Sequence, residues 1–335
     1  MVDLFRRQII GFTGVAVGAA VIPSSSFAND SVISSQYPVN PLKLGWSGGR
    51  EANDDSLLQK IINRHSSVMF PPGDYLIGNM EIPHSSLICG NGYSTRIKKK
   101  NGADCVFIFS NGNSMMHSKM RDIAFVGGGG IAIINEAYRT DIDGVYFSGY
   151  EECFLNSKEV GEWKIRNSTI ENCTFGIVSK KGGINSEINI TAANCHSAIY
   201  IDNTNAQTGA EGILLHRCLI YKSGVEGSDS KSAIFIKNAD YARLQNVMSD
   251  KNYGTALHIE NSKYVDEYGG YYASNNAKLK TPSVVIKGDC SDLRLRGRAE
   301  YSPYYALDAT EAKGKSSIHL DELMTRKGTM GGIIK

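Results

Sequence analysis

The sequence predicts an all-β protein, a right-handed parallel β-helix with an N-terminal capping helix. Between residues 115 and 300, short apolar strands recur in coils, and equivalent strands are marked by Phe154, Ile177, Ile199, Ile234, Leu257 and Val285. The steps between these markers are 23, 22, 35, 23 and 28 residues. Such self-similarity indicates a solenoid, because one repeat cannot bury its apolar face alone. No helical period separates the strands, which excludes βα units.

A column of turn residues supports the same winding. Five residues before four of the markers stand Gly149, Asn172, Asn194 and Asn252. Gly and Asn adopt a positive φ most readily, so this column predicts left-handed turns between strands. We expect its asparagines to hydrogen-bond to one another along the stack. The two longest steps place polar insertions at 203–212 and 223–232, and insertions on solenoids usually border the binding face.

The cysteines predict no metal site, because none of the seven lies in a CxxC pair. Cys173 and Cys195 each follow an asparagine of the turn column, so they are expected one coil apart, about 4.8 Å at the backbone. Two alternatives remain open here, a buried stack of free thiols and a disulfide.

The first 28 residues read as an export signal. Arg6-Arg7 precedes an apolar stretch from Ile9 to Ile22, and small residues follow it. The adjacent arginines resemble a twin-arginine signal, and a general secretory signal or an uncleaved anchor is the alternative. The expected organisation is a signal at 1–28, a linker at 29–52, the capped β-helix at 53–314 and a tail at 315–335. We expect a mature chain without a membrane span, in the periplasm or outside the cell.

The balance of charge excludes one class of partner. A formal net charge of +2, without a dense basic block, is not that of a nucleic-acid binder. No cofactor is predicted, since no acidic loop has the spacing that would indicate calcium.

The candidate site lies on the second strand of each coil. Alternation points Ile199 and Ile201 inward, so Tyr200 and Asp202 point outward. The register repeats this pair in the next two coils, which gives an aromatic row of Tyr200, Phe235 and His258 beside a charged row of Asp202, Lys237 and Glu260. Aromatic rings suit the apolar faces of sugars, and carboxylates suit proton transfer. We therefore predict Tyr200 and Phe235 as substrate-binding residues, and Asp202, Lys237, His258 and Glu260 as catalytic residues.

Three interpretations of these rows stay open. Asp202 and Glu260, two coils apart, suit an inverting glycosidase. In a lyase, Lys237 would neutralise a uronate carboxylate while His258 or Tyr200 removes the α-proton. The third interpretation is a ladder of opposite charges that only stabilises the sheet. A second outward row has no aromatic companion and ranks lower; it consists of Arg121, Asp143, Arg166, Asn189, His216 and Gln245, flanked by Glu171 and Asp250.

Residues 53–97 carry a family resemblance. Asn53-Asp54-Asp55 opens a predicted helix, and Pro71-Pro72-Gly73 lies inside the strand and turn that follow it. This segment resembles the entry of the pectate-lyase-like superfamily, which includes pectin-type lyases, polygalacturonase-like hydrolases and phage tailspike depolymerases. The resemblance implies a pectin-lyase-like solenoid capped by the helix. The motifs of the hydrolase branch are not matched, since Asn203-Thr204-Asn205 lacks the acid and Gly-His-Gly is absent.

Three functions follow as hypotheses. The first is an exported depolymerase, either a lyase or a glycosidase, that acts on an acidic exopolysaccharide or capsule. The second is a non-catalytic protein that binds or helps to assemble an exopolysaccharide, since the signal and the solenoid together resemble exported proteins of exopolysaccharide gene clusters. The third is a phage tailspike, which would be a trimer.

Overall fold

The computed structural model describes residues 37–51, 53–112, 117–206, 210–224, 232–273, 275, 280–302, 304–314, 318–320, 324–325 and 333–334. The predicted export signal lies outside these residues. Within them the chain is a parallel β-solenoid of about 10 turns, which confirms the predicted fold class.

The described residues contain two helices, a 3₁₀ helix at Pro41–Leu44 and α1 at Asp54–Arg64. Two large sheets run along the solenoid. Sheet A consists of β1 (Ser67–Met69), β2 (Gly73–Ile77), β4 (Leu87–Lys99), β6 (Ser118–Val126), β8 (Thr140–Asp143), β9 (Tyr146–Ser148), β11 (Lys164–Glu171), β13 (Glu187–Ala193), β16 (Leu214–His216), β17 (Leu219–Tyr221), β20 (Arg243–Gln245), β21 (Met248–Asp250), β23 (Asp266–Tyr268), β24 (Tyr271–Ala273), β26 (Leu293–Leu295), β27 (Arg298–Glu300), β30 (Ile318–Leu320) and β31 (Met324–Thr325). Sheet B consists of β3 (Met80–Ile82), β5 (Cys105–Gly112), β7 (Ile131–Ala137), β10 (Glu152–Asn156), β12 (Phe175–Ser179), β14 (Ser197–Asp202), β18 (Ser232–Lys237), β22 (Thr255–Glu260), β25 (Val284–Asp289), β28 (Leu307–Asp308), β29 (Ala312–Lys313) and β32 (Ile333–Ile334). A small third sheet pairs β15 (Ala210–Glu211) with β19 (Ala239–Asp240).

Sheet A is bent, which the sequence did not predict. In several coils the first of the two predicted strands is divided into two shorter strands. Examples are β8 with β9, and β16 with β17. A residue with positive φ stands at each of these breaks, Gly144 at 63° and Arg217 at 52°. A left-handed residue turns the chain sharply, so one coil carries three strand segments around the core.

The turn column before sheet B is confirmed in three of its four positions. Gly149, Asn172 and Asn194 have φ values of 77°, 55° and 54°, and the Asn194 Nδ2 donates to the Asn172 Oδ1 at 3.3 Å. The prediction is wrong for Asn252, because the left-handed residue of that coil is Lys251 at 52°. The Asn252 side chain is buried instead, and its Oδ1 accepts the Ser223 N–H at 2.9 Å.

The helix α1 packs against the first coil. Its apolar residues Leu58, Ile61 and Ile62 join the core, and Gln59 exchanges two hydrogen bonds with the backbone of Glu81 in β3. Asp54 is the first residue of the helix. Its carboxylate is buried and accepts the Gly49 N–H at 2.8 Å, which fixes the preceding loop to the helix.

The seven cysteines are all free and buried, so the buried-thiol alternative is confirmed for Cys173 and Cys195. Burial raises the pKa of Cys195 and of Cys218 to about 12. The reactive species of a cysteine is its thiolate, which burial disfavours here. Cys195 and Cys218 are therefore structural.

A thiol titration checks this assignment. We expect the native protein to show no thiol that reacts rapidly with dithionitrobenzoate, because all seven thiols are buried away from the reagent. The same protein unfolded in urea without reductant should show all seven. A count of five in urea would show instead that one pair is oxidised.

Candidate functional site

The structure brings the six predicted site residues together on the outer side of sheet B. Tyr200 lies opposite Phe235 in the neighbouring strand, and Phe235 lies opposite His258. The Tyr200 and Phe235 rings stack with centroids 5.0 Å apart, and the His258 ring meets Phe235 edge to face at 5.0 Å. The register inferred from the alternation of apolar residues is therefore confirmed.

The aromatic row is less exposed than the sequence suggests. Phe235 is only 6% exposed and the His258 side chain 12%. Rings one coil apart lie within stacking distance, so each covers the face of its neighbour. The row consequently offers ring edges to a ligand along most of its length, rather than open faces.

The charged row forms a continuous ladder. Lys237 lies between Asp202 and Glu260 in the register, and the Lys237 Nζ is 3.0 Å from the Glu260 Oε1. The hydrogen bond to Glu260, with a smaller contribution from the Asp202 charge, raises the pKa of Lys237. Lys237 is therefore a cation at neutral pH. Both side chains of the pair remain about a quarter exposed, at 25% and 24%.

Asp202 is held by its own turn. Its Oδ1 accepts the Thr204 N–H at 3.0 Å and also the Thr204 hydroxyl. The Thr204 Oγ1 in turn accepts the Asn238 Nδ2 at 2.8 Å. Asp202 thus ends strand β14 with a fixed carboxylate beside Lys237.

The next coil repeats the ion pair without the aromatic row. Glu260 lies opposite Lys287, whose Nζ is 3.1 Å from the Glu311 Oε1. His258, in contrast, lies opposite Val285, so the aromatic row ends there. The Lys287–Glu311 pair is consequently a matched internal control for Lys237–Glu260.

His258 is neutral in the folded protein. Its burial lowers the pKa from the ordinary value of 6.5 to about 4, although the Glu260 charge opposes the shift. The His258 Nε2 lies 3.6 Å from the Glu260 Oε2, too far for a hydrogen bond. The imidazole therefore lies beside Glu260 as an uncharged ring.

A pH titration tests this placement. Because the folded-state pKa is depressed, neutral His258 stabilises the fold above its ordinary pKa of 6.5, and this contribution is lost as the pH falls towards 4. We expect the His258 ring resonance, assigned with His258→Gln, to titrate with a midpoint near 4 in proton NMR. A midpoint near 6.5 would show that the ring is solvated.

The second predicted row lies on sheet A and is paired with acids that the sequence argument did not name. Arg121, Asp143 and Arg166 lie opposite one another in register. The Arg166 Nη2 contacts both oxygens of Asp141 at 2.8 and 2.7 Å, and the His216 Nε2 lies 2.9 Å from the Glu187 Oε1. Asp141 lies two residues before Asp143 on β8, and Glu187 lies two residues before Asn189 on β13. Residues two apart on a strand point to the same side, so alternation alone could have identified both acids.

The described residues hold no group of three or more His, Cys, Asp or Glu side chains arranged to bind a metal ion. Among the same residues, no helix has the length and apolar character needed to cross a membrane.

The chain matches no protein-family model and no curated protein sequence. Its fold is similar to those of many solved structures, including the following three. The A-module of a mannuronan C-5 epimerase from Azotobacter vinelandii is 14% identical, with a TM-score of 0.50 over 88% of this chain and 99% of that one. The catalytic unit of a GH87 α-1,3-glucanase from Streptomyces thermodiastaticus is 11% identical, with a TM-score of 0.54 over 89% and 69%. Tailspike protein 2 from the Escherichia coli O157:H7 bacteriophage CAB120 is 15% identical, with a TM-score of 0.50 over 78% and 38%. The chain therefore has the right-handed parallel β-helix fold that its resemblance to the pectate-lyase-like superfamily implies.

Proposed function

We propose that the protein is exported and depolymerises an acidic polysaccharide by β-elimination, with Lys237 and Glu260 at the centre of the reaction. The observation that carries the proposal is the partly exposed Lys237–Glu260 ion pair at 3.0 Å, beside the aromatic row. Elimination from a uronate needs a cation for the carboxylate and a base for the α-proton, and this pair supplies both. The epimerase and glucanase of the same fold, whose names refer to polysaccharides, support a polysaccharide as the substrate.

The reaction begins with an exchange of partners. A uronate carboxylate takes the place of Glu260 on the Lys237 ammonium, and the negative charge of the sugar is neutralised. The released Glu260 carboxylate accepts the α-proton of the uronate. The C–H electron pair forms a double bond between the α and β carbons, the bond from the β carbon to the glycosidic oxygen breaks, and water protonates the leaving oxygen.

The surrounding residues position this exchange. His258, neutral and 3.6 Å from the second Glu260 oxygen, limits where the carboxylate can move. Tyr200 and Phe235 present their edges to the sugar ring, and Asp202 keeps Lys237 charged from the neighbouring coil. Hydrolysis by Asp202 and Glu260 would need a water between two carboxylates, whereas the register puts Lys237 there. Elimination makes direct use of that cation.

A non-catalytic binding protein is the second candidate. The charged row favours this candidate, because Lys237 and Lys287 each already form an ion pair with a glutamate. Such cross-strand pairs stabilise a sheet by about 0.2–1 kcal/mol each without any substrate. A tailspike, which would be a trimer, is the third candidate and finds support in the phage protein of the same fold.

Incubation of the purified protein with polygalacturonate, alginate and neutral dextran separates these candidates. Chain length is followed by gel filtration, and the unsaturated product by its ultraviolet absorbance. Shortening of a polyuronate with rising absorbance supports elimination, and shortening without it supports hydrolysis. Binding without shortening on all polymers supports the binding protein.

Export is tested separately through the N-terminus of the protein recovered from the cell envelope or medium. A start near Asn29, measured by mass spectrometry, supports a cleaved signal. An intact Met1 would favour the tailspike, since virion proteins assemble in the cytoplasm.

A further inference from the structure

Two tyrosines form an exposed stack at the corner that leads into sheet A. Tyr241 and Tyr264 lie one coil apart, with ring centroids separated by 4.7 Å and planes inclined by 9°. They are 50% and 46% exposed, in contrast to the nearly buried Phe235 of sheet B. An exposed pair of stacked aromatic rings is a candidate contact surface for a ligand.

The backbone at this corner makes tyrosine a costly choice. Tyr241 and Tyr264 have φ values of 57° and 56°, in the left-handed region. The preceding coils place Asn185 and Gly212 at the same corner, with φ values of 52° and 74°. Asn and Gly adopt this conformation most readily, and a bulky residue there is an outlier. The fold itself therefore does not require tyrosine at either position.

The stack stands in a groove along the solenoid axis. Two open clefts of about 530 and 350 Å³ share Tyr241 and Arg243 as lining residues. The first extends to Lys164, which faces Glu187 at 3.9 Å, and to Glu211. The second contains Tyr264, Arg294 and Asp292, together with Asp266, which pairs with Arg296 at 3.6 Å. We call this surface the tyrosine groove.

Cations accompany the rings at the coil repeat. Arg243, Asp266 and Arg294 occupy equivalent positions in three successive coils. Arg243 and Arg294 are exposed, and within the described ranges neither guanidinium has an ion-pair partner. Two coils rise by about 9.6 Å, so the guanidinium groups recur along the groove beside the stacked rings.

We propose that the tyrosine groove is a second binding site, which holds a uronate polysaccharide along the solenoid axis, separate from the ladder on sheet B. Sugar rings contact the edges and the outer faces of the Tyr241–Tyr264 stack, whose inner faces cover each other. Carboxylates of the polymer pair with Arg243 and Arg294, since guanidinium groups bind carboxylates with two parallel hydrogen bonds. The proposal rests on the proposed function for the chemical class of the polymer. Retention of one polymer at two sites raises its effective concentration at the ladder.

The test uses a double substitution that spares the fold. In Tyr241→Asn/Tyr264→Asn, asparagine suits the left-handed backbone, so thermal stability should be unchanged or higher. Binding is measured by electrophoresis through native gels that contain alginate, polygalacturonate or neutral dextran. We expect the wild type to be retarded by the two polyuronates alone, and the double variant to bind about tenfold more weakly.

Tyr301→Asn is the matched control, because Tyr301 is also left-handed at φ 54° and 53% exposed but lies outside the groove. It should bind as the wild type does. Arg243→Gln/Arg294→Gln should weaken the retention by both alginate and polygalacturonate. Equal binding of the double tyrosine variant and the wild type, or no retardation by any polyuronate, would overturn the proposal.

The outcome is independent of the reaction on sheet B, because retardation does not require cleavage. If the wild type binds through the tyrosine groove and cleaves nothing, the groove stands and the proposed function fails. If the wild type cleaves a polyuronate and the double variant keeps the same KM, the groove fails and the proposed function stands.

Discussion

Glu260→Gln is expected to lower the initial rate of polyuronate cleavage by about 100- to 10,000-fold, the contribution of a positioned general base. The amide keeps the size of the side chain and can still face the Lys237 ammonium, which lies 3.0 Å from the native carboxylate. It cannot accept the α-proton. The rate is measured as the rise in ultraviolet absorbance of the unsaturated product.

The control for this prediction is the ion pair one coil further along. Glu311→Gln breaks the Lys287–Glu311 contact at 3.1 Å, in the same ladder but beyond the aromatic row. We expect the Glu311→Gln variant to cleave the polyuronate at the wild-type rate. Equal losses of cleavage rate in Glu260→Gln and Glu311→Gln would mean that the charged row affects cleavage only by stabilising the fold. Loss in His216→Ala alone would move the reaction to the His216–Glu187 pair on sheet A.

Phe125→Ala is expected to have the largest effect on stability, a loss of about 3–5 kcal/mol in the free energy of unfolding. Phe125 in β6 is fully buried, stacks on Phe147 of β9 at 5.1 Å and meets Phe107 of β5 edge to face at 6.0 Å. The ring therefore joins sheet A to sheet B within the core. Its removal leaves a cavity that neighbouring coils, fixed by parallel pairing, cannot close.

Urea unfolding measures this loss. Tyr93→Ala serves as the comparison, because Tyr93 is 59% exposed although its ring contacts Tyr146 at 5.2 Å. An exposed aromatic pair contributes about 0.5–1.5 kcal/mol. Similar losses from the two substitutions would show that the interior aromatic cluster is not a main source of stability.

The register of sheet B could be predicted because aliphatic residues recur at every second position near the end of its central strands, as at Ile199 and Ile201. Ile199, Ile234 and Leu257 are fully buried and opposite one another, so the residue after each of them is fixed on the outer side. The bend of sheet A could not be predicted in the same way. Gly144 and Asn246 are of residue types that favour a positive φ, but Arg217 at the equivalent position is not, so the column of turn residues is interrupted.

The candidate site, too, could be predicted from the sequence only in part. Alternation places Lys237 beside Glu260, but it does not show that neighbouring rings cover most of Phe235. The exposed pair of Tyr241 and Tyr264 escaped sequence reasoning for a related reason. Tyrosine seldom adopts a left-handed conformation, so its presence at a corner of the coil becomes visible only in the structure.

The account depends most directly on the replacement of Glu260 by a substrate carboxylate at Lys237. The measurement that tests it compares the cleavage of a susceptible polyuronate with cleavage of the same polymer after chemical reduction of its carboxyl groups. The account predicts cleavage of the native polymer and none of the reduced one. Equal shortening of both polymers would contradict it.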